Sequence, residues 1–500
     1  MTGIASAIVV ALVCVVAAQQ TAKIAVPAGL GKRNGAGRGE NDGRKAFVTS
    51  MVALDLENLD AQTREEKLAL MRADAFAFFR GTARIFYNDL HTEMPASALR
   101  LENITTWLSG DAHVENYGAF DNSDGTVVYD LNDFDEAFVA DFRFDLWRAT
   151  TSIVLTCKAT NDDDDCEGAV KSFSTAYAEQ LERFVGNDDE LSFEITRESA
   201  YGRLDDFLAD VEKSKSRKKM IKKWTRHSEE EKGTRVFDLR LDKLGAVSSS
   251  TAGVIRDALV NYQKGVAPAL RNQTSFFKVK DIAQRLKAGL GSYGTARYYV
   301  LVEGPSMDPY DDIILDVKIE RAPHTALALG DAQRAVVMSS KQVGNKEGAR
   351  VALGNRALLN HADLFLGNAS FHGASYSVRQ RNPFKDTFDL SELTSAKRLR
   401  KLSEQWGQLL AAAHARSDDD FDPSLVPHSF ETMASLALRG HHAEFADEIW
   451  QTANAYASQV ATDFSYFVSA FPPSFMPSEA NKWNTKIAAH VAEALEEKNV

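Results

Sequence analysis

Strand-forming sequence patterns are concentrated in one stretch of this chain, between about residues 278 and 385. Short runs rich in β-branched and aromatic residues predict strands there, at 297–302, 313–319, 363–366 and 376–380. Most of the sequence before and after this stretch carries apolar residues at helical spacing. One β-rich segment between two helical ones predicts an α+β protein of two lobes, with a small sheet lobe and a large helical lobe.

We expect residues 46–277 and 386–500 to form the helical lobe and residues 278–385 the sheet lobe. Helices are predicted at 60–92 with a break near Gly81, 143–157, 167–185, 211–232 and 331–361. An isolated strand is predicted at Val127-Val128-Tyr129, after a turn sequence of Asn, Ser, Asp and Gly.

The amino terminus carries a long apolar run at residues 4–18, which ends in small residues. The run is too short for a comfortable bilayer span and fits a signal peptide of residues 1–19, although no Lys or Arg precedes it. An uncleaved anchor is the alternative. Residues 20–45, rich in Gly, Lys and Arg without apolar periodicity, are expected to form a flexible leader. We therefore expect a secreted or secretory-pathway protein with no stable membrane span after cleavage.

Cleavage would leave two of the three cysteines, Cys157 and Cys166, on either side of an acidic loop. In an oxidising compartment this spacing favours a disulfide, and two free thiols are the alternative. Three sequons permit N-glycosylation without indicating it: Asn103, Asn272 and Asn368. The net charge of −12, from 58 basic and 70 acidic residues, argues against a general binder of nucleic acid or of anionic membranes.

A cluster of acidic and amide side chains lies between residues 109 and 136. Asn116 follows Asp111 by five residues, and Asp130 stands fourteen residues further on, at the end of the predicted strand. Phosphoryl transfer uses such a set: one Asp positions or deprotonates the acceptor hydroxyl, while an Asn and a second Asp hold Mg²⁺ on the nucleotide phosphates. Oxygen ligands of this kind suit Mg²⁺ or Mn²⁺ better than zinc.

Two other interpretations of this cluster stay open. Asp111, His113 and Glu115 would be a ligand set for a metal-dependent hydrolase. Alternatively, the acidic loop residues only cap helices and close turns.

A glycine-rich turn, Gly289-Leu290-Gly291-Ser292-Tyr293-Gly294, has the GxGxxG spacing. In a dinucleotide site a helix would follow, whereas residues 295–302 have the composition of a strand. A second predicted strand then leads to Lys318. Gly-rich turn, strand, turn and strand ending in Lys is typical of the nucleotide lid of kinases, whose Lys pairs with the α- and β-phosphates. The alternative is a Gly-rich hairpin with a surface Lys.

These residues predict a nucleotide site that combines the lid with Lys318. Its expected backbone and side-chain contacts come from Gly289, Gly291, Ser292, Gly294 and Lys318.

The sequence Gly-Asp-x-His-x-x-Asn at 110–116 resembles the catalytic loop of the aminoglycoside phosphotransferase and choline kinase branch of the kinase-like fold. The resemblance implies that Asp111 is the catalytic Asp, that Asn116 and Asp130 are metal ligands, and that His113 shapes the loop. Phe144-Asp145-Leu146-Trp147 is similar to a later Asp-Leu segment of the same branch.

Asp133 is a second candidate for the metal-binding Asp, because Asp133-Phe134 resembles the start of the Asp-Phe-Gly motif of protein kinases. The spacing favours Asp130, the position that ends the strand.

In an ordinary kinase the Gly-rich loop and the Lys precede the catalytic loop, whereas here they follow it by about 170 residues. A circular permutation reconciles the two orders, and chain termini that lie close together make it topologically inexpensive. The hinge between the lobes would then lie near residues 379–384. The predicted fold is a two-lobed, circularly permuted kinase-like fold.

The chain from about Phe76 to Asp420 also resembles a bacterial family known as domain of unknown function 2252. The matching stretches are 76–81, 110–118, 129–137, 289–295, 317–318, 348–356, 376–380 and 412–417. This resemblance implies a kinase-like fold without an established substrate.

After its Lys the family usually has Glu-Ala, whereas this chain has Ile319-Glu320. The acid that pairs with Lys318 therefore stays open between Glu320 and Glu347, the latter on the long predicted helix. Several basic side chains would suit phosphate or substrate binding, with ion pairing between the lobes as the alternative: Arg80, Arg350, Arg356, Arg379, His414 and Arg416.

The sequence thus predicts an ATP- and Mg²⁺-dependent phosphotransferase that acts on a hydroxyl of an unidentified small molecule, sugar or protein. Transfer of AMP is a chemical variant of the same site. The alternatives are a pseudokinase that binds without turnover and the metal-dependent hydrolase described above.

Overall fold

The computed structural model describes residues 38–160, 165–231, 233–271, 277–287, 289–290 and 293–473. The predicted signal peptide, the sequon at Asn272, and Gly291 and Ser292 of the glycine-rich turn lie outside these residues.

Helices make up most of the described chain before the main sheet and after it. They are α1 (Arg38–Leu56), α2 (Ala61–Met71), α3 (Ala75–Gly81), α4 (Ala83–Thr92), α5 (Arg143–Thr160), α6 (Cys166–Phe184), α7 (Arg203–Ser214), α8 (Arg217–Trp224), α9 (Ser249–Tyr262), α10 (Pro268–Arg271), α11 (Asp331–Met338), α12 (Glu347–Leu358), α13 (Ala396–Arg416), α14 (Phe430–Leu438) and α15 (His442–Ala470). Among the described residues, none of these helices has the length and apolar character that crossing a membrane requires.

The strands form one large antiparallel sheet and three small ones. They are β1 (Thr105–Leu108), β2 (Tyr117–Asp121), β3 (Val127–Leu131), β4 (Phe138–Asp141), β5 (Ile195–Thr196), β6 (Thr225–His227), β7 (Arg235–Phe237), β8 (Leu244–Gly245), β9 (Val279–Arg285), β10 (Arg297–Val302), β11 (Ile313–Ile319), β12 (Gly367–Phe371) and β13 (Ala374–Gln380). The large sheet has the order β12-β13-β11-β10-β9-β8, and the small ones are β1-β4, β2-β3-β5 and β6-β7. The protein is therefore of the mixed α+β class, with a six-stranded sheet and a helical region, as the sequence predicted at this level.

The strand predictions at 297–302 and 313–319 coincide with β10 and β11. The strand predicted at 363–366 is wrong, because the chain there makes turns and enters β12 only at Gly367. The long helix predicted at 331–361 is also divided. Helix α11 ends at Met338, and the left-handed conformations of Gly344 and Asn345, with φ of 55° and 58°, lie in the turns that separate it from α12, which begins at Glu347.

Helices that pack on the six-stranded sheet come from before residue 278, the position at which the sequence predicted the β-rich segment to begin. One face of the six-stranded sheet buries Ile255 and Leu259 of α9, and the other face buries Ile221 and Trp224 of α8. The same region corrects the helix predicted over 211–232, since residues 225–227 leave α8 to form β6. Side chains of β10 and β11 alternate between the α9 face and the α8 face of the sheet, and both faces are buried. This explains why the two strands are nearly continuous apolar runs in the sequence.

The helical region holds the largest core of the described chain, and α1 belongs to it. Arg44 of α1 donates hydrogen bonds to Asp89 of α4 at 2.8 Å and to Asp463 of α15 at 2.9 Å. This pairing orders residues that the sequence placed in a flexible leader ending at residue 45.

Helix α12 connects the sheet to the helical region through two close approaches of its backbone. A Cβ on Gly348 would lie 2.8 Å from the backbone nitrogen of Ser377 in β13. A Cβ on Gly354, nearly two turns further on, would lie 3.2 Å from the ring of Trp107 in β1. Both neighbours need the space that a glycine leaves, so α12 fixes the sheet against β1.

Cys157, near the end of α5, and Cys166, at the start of α6, form a disulfide. The pairing agrees with the sequence prediction. The two sequons within the described residues differ in setting: Asn103 is exposed in a turn, whereas Asn368 lies half-buried in β12.

The contact between α6 and α13 depends on Gly407, and this gives a test of the fold. A Cβ on Gly407 would overlap the carbonyl oxygen of Phe173 in α6. Because backbone cannot swing aside, we expect Gly407→Ala to destabilise the protein by about 1–3 kcal/mol, measured by urea unfolding. Gly253→Ala in α9 is the matched control, since a Cβ there meets nothing within 4 Å. That variant should gain up to about 1 kcal/mol from helix propensity, and equal urea midpoints for the two variants would contradict the packing described here.

Candidate functional site

Two short antiparallel ladders place the predicted catalytic segments side by side. Leu108 at the end of β1 pairs with Phe138 at the start of β4, and Tyr117 at the start of β2 pairs with Leu131 at the end of β3. The loops 109–116 and 132–137 therefore leave the ladders at neighbouring points. This is why residues about twenty positions apart meet in one site.

Gly110 is required where these two loops touch. Its φ is 74°, and a Cβ at this position would overlap the carbonyl oxygen of Glu136 and lie 2.6 Å from Oγ1 of Thr325. The Thr325 hydroxyl donates to that same carbonyl at 2.8 Å. Both the left-handed backbone and the close approach explain the glycine immediately before Asp111.

Asp145 of α5 anchors the loop that carries Asp111. Its carboxylate accepts hydrogen bonds from the backbone N–H groups of Ser109 and Gly110, at 2.7 and 3.0 Å. His414 of α13 lies 3.4 Å from the same carboxylate, and the His414 ring in turn contacts the hydroxyl of Tyr177 at 2.8 Å. All these side chains are buried, so the loop is held by a charged acceptor away from solvent.

Asp111 is held from two sides. The buried guanidinium of Arg148 donates to its Oδ1 at 2.7 Å, and the amide of Asn116 donates to its backbone carbonyl at 2.8 Å. Burial raises the pKa of Asp111 to about 6, although the charge of Arg148 opposes the shift. No sequence pattern pointed to Arg148. It lies on the buried side of α5 and stacks on Phe79, with its guanidinium carbon 3.8 Å from the ring centroid.

The structure does not bring Asp111, His113 and Glu115 together as metal ligands. Glu115 forms an ion pair with Arg80 instead, which also gives Arg80 a structural role. His113 is buried, and burial together with the charges of Arg80 and Arg148 holds its pKa well below the usual value. Nε2 of His113 lies 3.7 Å from Oδ2 of Asp111, but among the described residues the three His, Cys, Asp or Glu side chains close enough to share one ion are a different group.

Asp130 and Asp133 occupy different environments. Asp130 is buried on β3 beside Arg416, 3.8 Å away, and burial raises its pKa to about 7. Burial alone would also raise the pKa of Asp133, but the positive charges of Lys318, Arg379 and other neighbours hold it below its usual value. The positive charge of Lys318 therefore acts on Asp133, whereas Asp130 lies beside Arg416.

Asp133 is joined to the rest of the site through the backbone. The N–H of Asn132 donates to the carbonyl of Asn116 at 2.9 Å, and Asn116 donates to the carbonyl of Asp111 at 2.8 Å. Oδ1 of Asp133 is buried and accepts no hydrogen bond from the described residues. A buried carboxylate oxygen without a hydrogen-bond donor among the described residues fits a cation that prefers oxygen ligands.

Lys318 of β11 is buried, and its Nζ forms an ion pair with Asp135. Neither acid proposed from the sequence is that partner. Glu347 lies 2.6 Å from Nε of Arg350. Glu320 accepts a hydrogen bond from Ser377 at 2.6 Å, although Lys318 is near enough for its charge to affect the pKa of Glu320.

A cavity of about 580 Å³ opens along the same sheet; Asn132 and Phe134 line it, whereas Lys318 and Asp135 are not among its lining residues. Its walls come from the strands of the sheet, from the β2–β3 hairpin, and from the segment after β13 that the sequence predicted as a hinge. The lining residues include Gly289, Asn132, Phe134, Arg297, Asp316, Arg379, Gln380, Arg381, Asn382 and Lys385. The hinge segment is fixed by Asn382, whose amide donates to the carbonyl of Asp121 in β2 at 2.7 Å.

The cavity is rich in cationic groups near Asp133. Arg297, Arg379 and Lys385 all line it, and the charges of all three lower the pKa of Asp133. The Lys385 side chain is exposed at the cavity wall, and partial desolvation by the surrounding protein together with repulsion from Arg379 and Arg297 lowers its pKa. Such a concentration of cations around a cavity suits an anionic ligand.

The predicted nucleotide-binding glycines divide between two settings. Gly289 lines the cavity, whereas Gly294 turns towards α2, where a Cβ would lie 2.7 Å from the side chain of Leu59. The hydroxyl of the neighbouring Tyr293 donates to Glu66 of α2, so this end of the turn is fixed to the helical region.

The remaining basic candidates have structural partners. Arg356 donates to the carbonyl of Leu366, and Arg416 donates to the carbonyls of Glu190 and Phe193 at 3.1 and 2.7 Å. The sequence missed Arg297 and Lys385. The only signal for Arg297 was its position at the start of β10, opposite Lys318 of β11. The only signal for Lys385 was its position just after the predicted hinge.

A family model matches residues 60–470, which is most of the chain. The protein therefore belongs to the family described as an uncharacterized protein conserved in bacteria, domain of unknown function 2252. No curated protein and no solved structure matches the chain.

The different environments of Asp130 and Asp133 predict opposite pH dependences of stability. Folded Asp130, with a pKa of about 7, keeps a proton that the unfolded chain releases near pH 4. The stability of the wild type relative to Asp130→Asn should therefore fall between about pH 4 and pH 7, by up to about 1.4 kcal/mol per pH unit. Urea unfolding across this range measures the effect.

Asp133, whose folded pKa is lowered, provides the internal control for this experiment. Its contribution should be present above about pH 4 and should be lost as the pH falls further. A wild-type advantage over Asp130→Asn that does not change with pH would contradict the buried placement of Asp130.

Proposed function

We propose that this protein is an ATP- and Mg²⁺-dependent phosphotransferase with a circularly permuted, kinase-like arrangement of its site. The observation that carries the proposal is the position of Asp133. It lies among Lys318 and the cavity cations on one side, and it is joined through the backbone to Asn116 and Asp111 on the other.

The order of elements in the sheet supports the proposal. The glycine-rich turn lies between β9 and β10, Lys318 lies on the next strand, β11, and α12 follows with Glu347 in its first turn. In kinases a Gly-rich loop likewise precedes a Lys on the third strand, and a helix with a partner Glu comes next. The catalytic segment precedes all of this in the present chain, so a permuted order is part of the proposal.

Each group then has a role that its position allows. Lys318 would hold the nucleotide phosphates, with Arg297, Arg379 and Lys385 supplying further positive charge. Asn116 and Asp133 would hold Mg²⁺, which neutralises charge on the phosphates. Asp111 would accept the proton of the acceptor hydroxyl or orient that hydroxyl.

Two ion pairs would have to rearrange for this chemistry. Lys318 pairs with Asp135, and Asp111 pairs with Arg148. Phosphate oxygens compete well for a buried ammonium group, so nucleotide binding would release Asp135. Arg148 engages Oδ1 of Asp111 and Nε2 of His113 lies 3.7 Å from Oδ2, so an acceptor hydroxyl would have to approach Asp111 between these two side chains.

The pairing of Lys318 with Asp135 favours a second candidate, a pseudokinase that binds nucleotide without turnover. Glu347, the acid expected to pair with Lys318 in an active kinase, is held by Arg350 instead.

We also propose entry into the secretory pathway, supported by the apolar run at residues 4–18 and by the Cys157–Cys166 disulfide. The low supply of ATP outside cells adds weight to the second candidate, and AMP transfer remains a chemical variant of the first.

Nucleotide binding is tested by thermal unfolding with ATP, with and without Mg²⁺ or Mn²⁺. At a hundred times its dissociation constant, a ligand specific for the folded state stabilises it by about 2.7 kcal/mol, which gives a clear rise in Tm. We expect a metal-dependent rise in the wild type that is lost in Lys318→Ala and in Asp133→Asn. Lys278→Ala is the matched control, because that amine is 70% exposed just before β9. An unchanged wild-type Tm with every nucleotide would overturn the proposal.

Turnover distinguishes the two candidates. Asp111→Asn should reduce transfer from ATP, to water or to a panel of sugars and peptides, by about 100-fold or more, while the ATP-dependent rise in Tm is kept. Because Asp111 has a pKa of about 6 and must be ionised to accept a proton, wild-type turnover should increase with pH through about 6 and then level off.

Glu115→Gln is the control for this experiment, since Glu115 pairs with Arg80 and has no role in the proposed transfer. ATP binding without turnover in either protein would establish the pseudokinase.

A further inference from the structure

Three carboxylates meet at a point that the proposed phosphotransferase does not use. Asp188 and Glu190 belong to the short 3-10 turn after α6, and Asp420 belongs to the loop after α13. One oxygen of each lies within 4.8 Å of the others. The two segments are separated by more than two hundred residues in sequence, so the fold alone brings these charges together.

Glu190 is the side chain that points to a ligand here. It is only 2% exposed, and its Oε2 is buried without a hydrogen-bond donor among the described residues. A buried carboxylate oxygen without a donor is costly, unless something absent from the polypeptide satisfies it.

The neighbouring charges increase this cost. Asp188 and Asp420 each bring a carboxylate oxygen to within 4.8 Å of that of Glu190, and like charges this close repel one another unless a proton or a cation lies between them. Arg416 is close, but it donates to backbone carbonyls, including that of Glu190, and not to these carboxylates.

We infer that Asp188, Glu190 and Asp420 form a binding site for one divalent cation that prefers oxygen ligands, with Ca²⁺ favoured over Mg²⁺. Oxygen ligands of Ca²⁺ lie about 2.3–2.6 Å from the ion, so ligands on opposite sides of one ion are about 5 Å apart. The three carboxylate oxygens lie within 4.8 Å of one another, so they can reach one such ion, and three protein carboxylates suit Ca²⁺ better than Mg²⁺, which usually takes one or two and keeps several waters. Asp188 and Asp420 are exposed, so water can complete the coordination from the solvent side.

A cation at this position would join the turn after α6 to the loop after α13. The end of α13 carries His414, which contacts the Asp145 carboxylate that anchors the Asp111 loop. The cation site therefore supports the framework of the candidate active site without touching it.

The test compares Ca²⁺ with EDTA on the whole purified chain, without nucleotide. We expect Ca²⁺ to raise the Tm of the wild type, and equal Mg²⁺ to raise it less. Asp420→Asn and Glu190→Gln should abolish the rise and should each lose one bound Ca²⁺ per chain in equilibrium dialysis. Asp189→Asn is the matched control, because it removes an exposed carboxylate from the same turn but not from the ligand group.

The outcomes separate the cation from a shared proton. No Ca²⁺-dependent rise in the wild type, with Glu190→Gln more stable than the wild type at pH 8, would show that Glu190 and Asp420 share a proton and would overturn the inference. A rise that persists in Asp420→Asn would also overturn it, as would a rise with Mg²⁺ alone. Retention of the Ca²⁺ effect in Asp133→Asn is expected, which keeps this result independent of the proposed nucleotide site.

Discussion

The candidate site depends on one fully buried guanidinium, that of Arg350 on α12. It donates to the carbonyl of Asp135 at 2.8 Å and to that of Arg321 at 3.1 Å, and it also bonds the carbonyl of Ala137. Glu347 lies beside it at 2.6 Å and balances its charge. A buried cation without these acceptors would cost several kcal/mol, so the acidic loop and the end of β11 must stay where the guanidinium can reach both.

This constraint connects the two halves of the proposed chemistry. The acidic loop carries Asp133 and Asp135, and β11 carries Lys318, only three residues before Arg321. The guanidinium adds to other contacts between the sheet and the helical region, among them the hydrogen bonds of Tyr293 to Glu66 and of Arg379 to the carbonyl of Asn132. Lys318 and Asp135 then lie close enough to pair because Arg350 holds the acidic loop near the end of β11. This placement also explains why Glu347 is not available to Lys318, because neutralising Arg350 in the interior is the stronger demand.

The sequence was most informative where local pattern and tertiary environment agree. Strands β10 and β11 were predicted at their observed positions, because alternating β-branched and aromatic residues satisfy a sheet that is buried on both faces. Gly110 and Asp111 were singled out by their resemblance to a kinase-like catalytic loop, and the positive φ of Gly110 fits a tight turn at that point. The sequence did not separate the environments of Asp130 and Asp133. Asp130 lies in β3 and Asp133 in the loop just after it, and only side chains distant in sequence, such as Arg416, Lys318 and Arg379, distinguish them. Arg148 and Arg297 escaped notice since a single Arg on a helix or strand has no sequence pattern that indicates its partner.

The proposed permutation would require the end of α13 to lie near β1, the strand before the Asp111 loop. In an ordinary kinase order, the chain would pass from the end of α13 towards β1 and the Asp111 loop. The hydroxyl of Thr106 in β1 donates to the carbonyl of His414 at 2.8 Å and lies 3.1 Å from the hydroxyl of Ser417. The end of α13 is therefore already beside the strand that a direct connection would have to reach. The chain instead continues into α15, whose Asp463 binds Arg44 of α1. The first and last described helices thus contact each other through this ion pair, which brings the two ends of the described chain together as the proposed permutation would require.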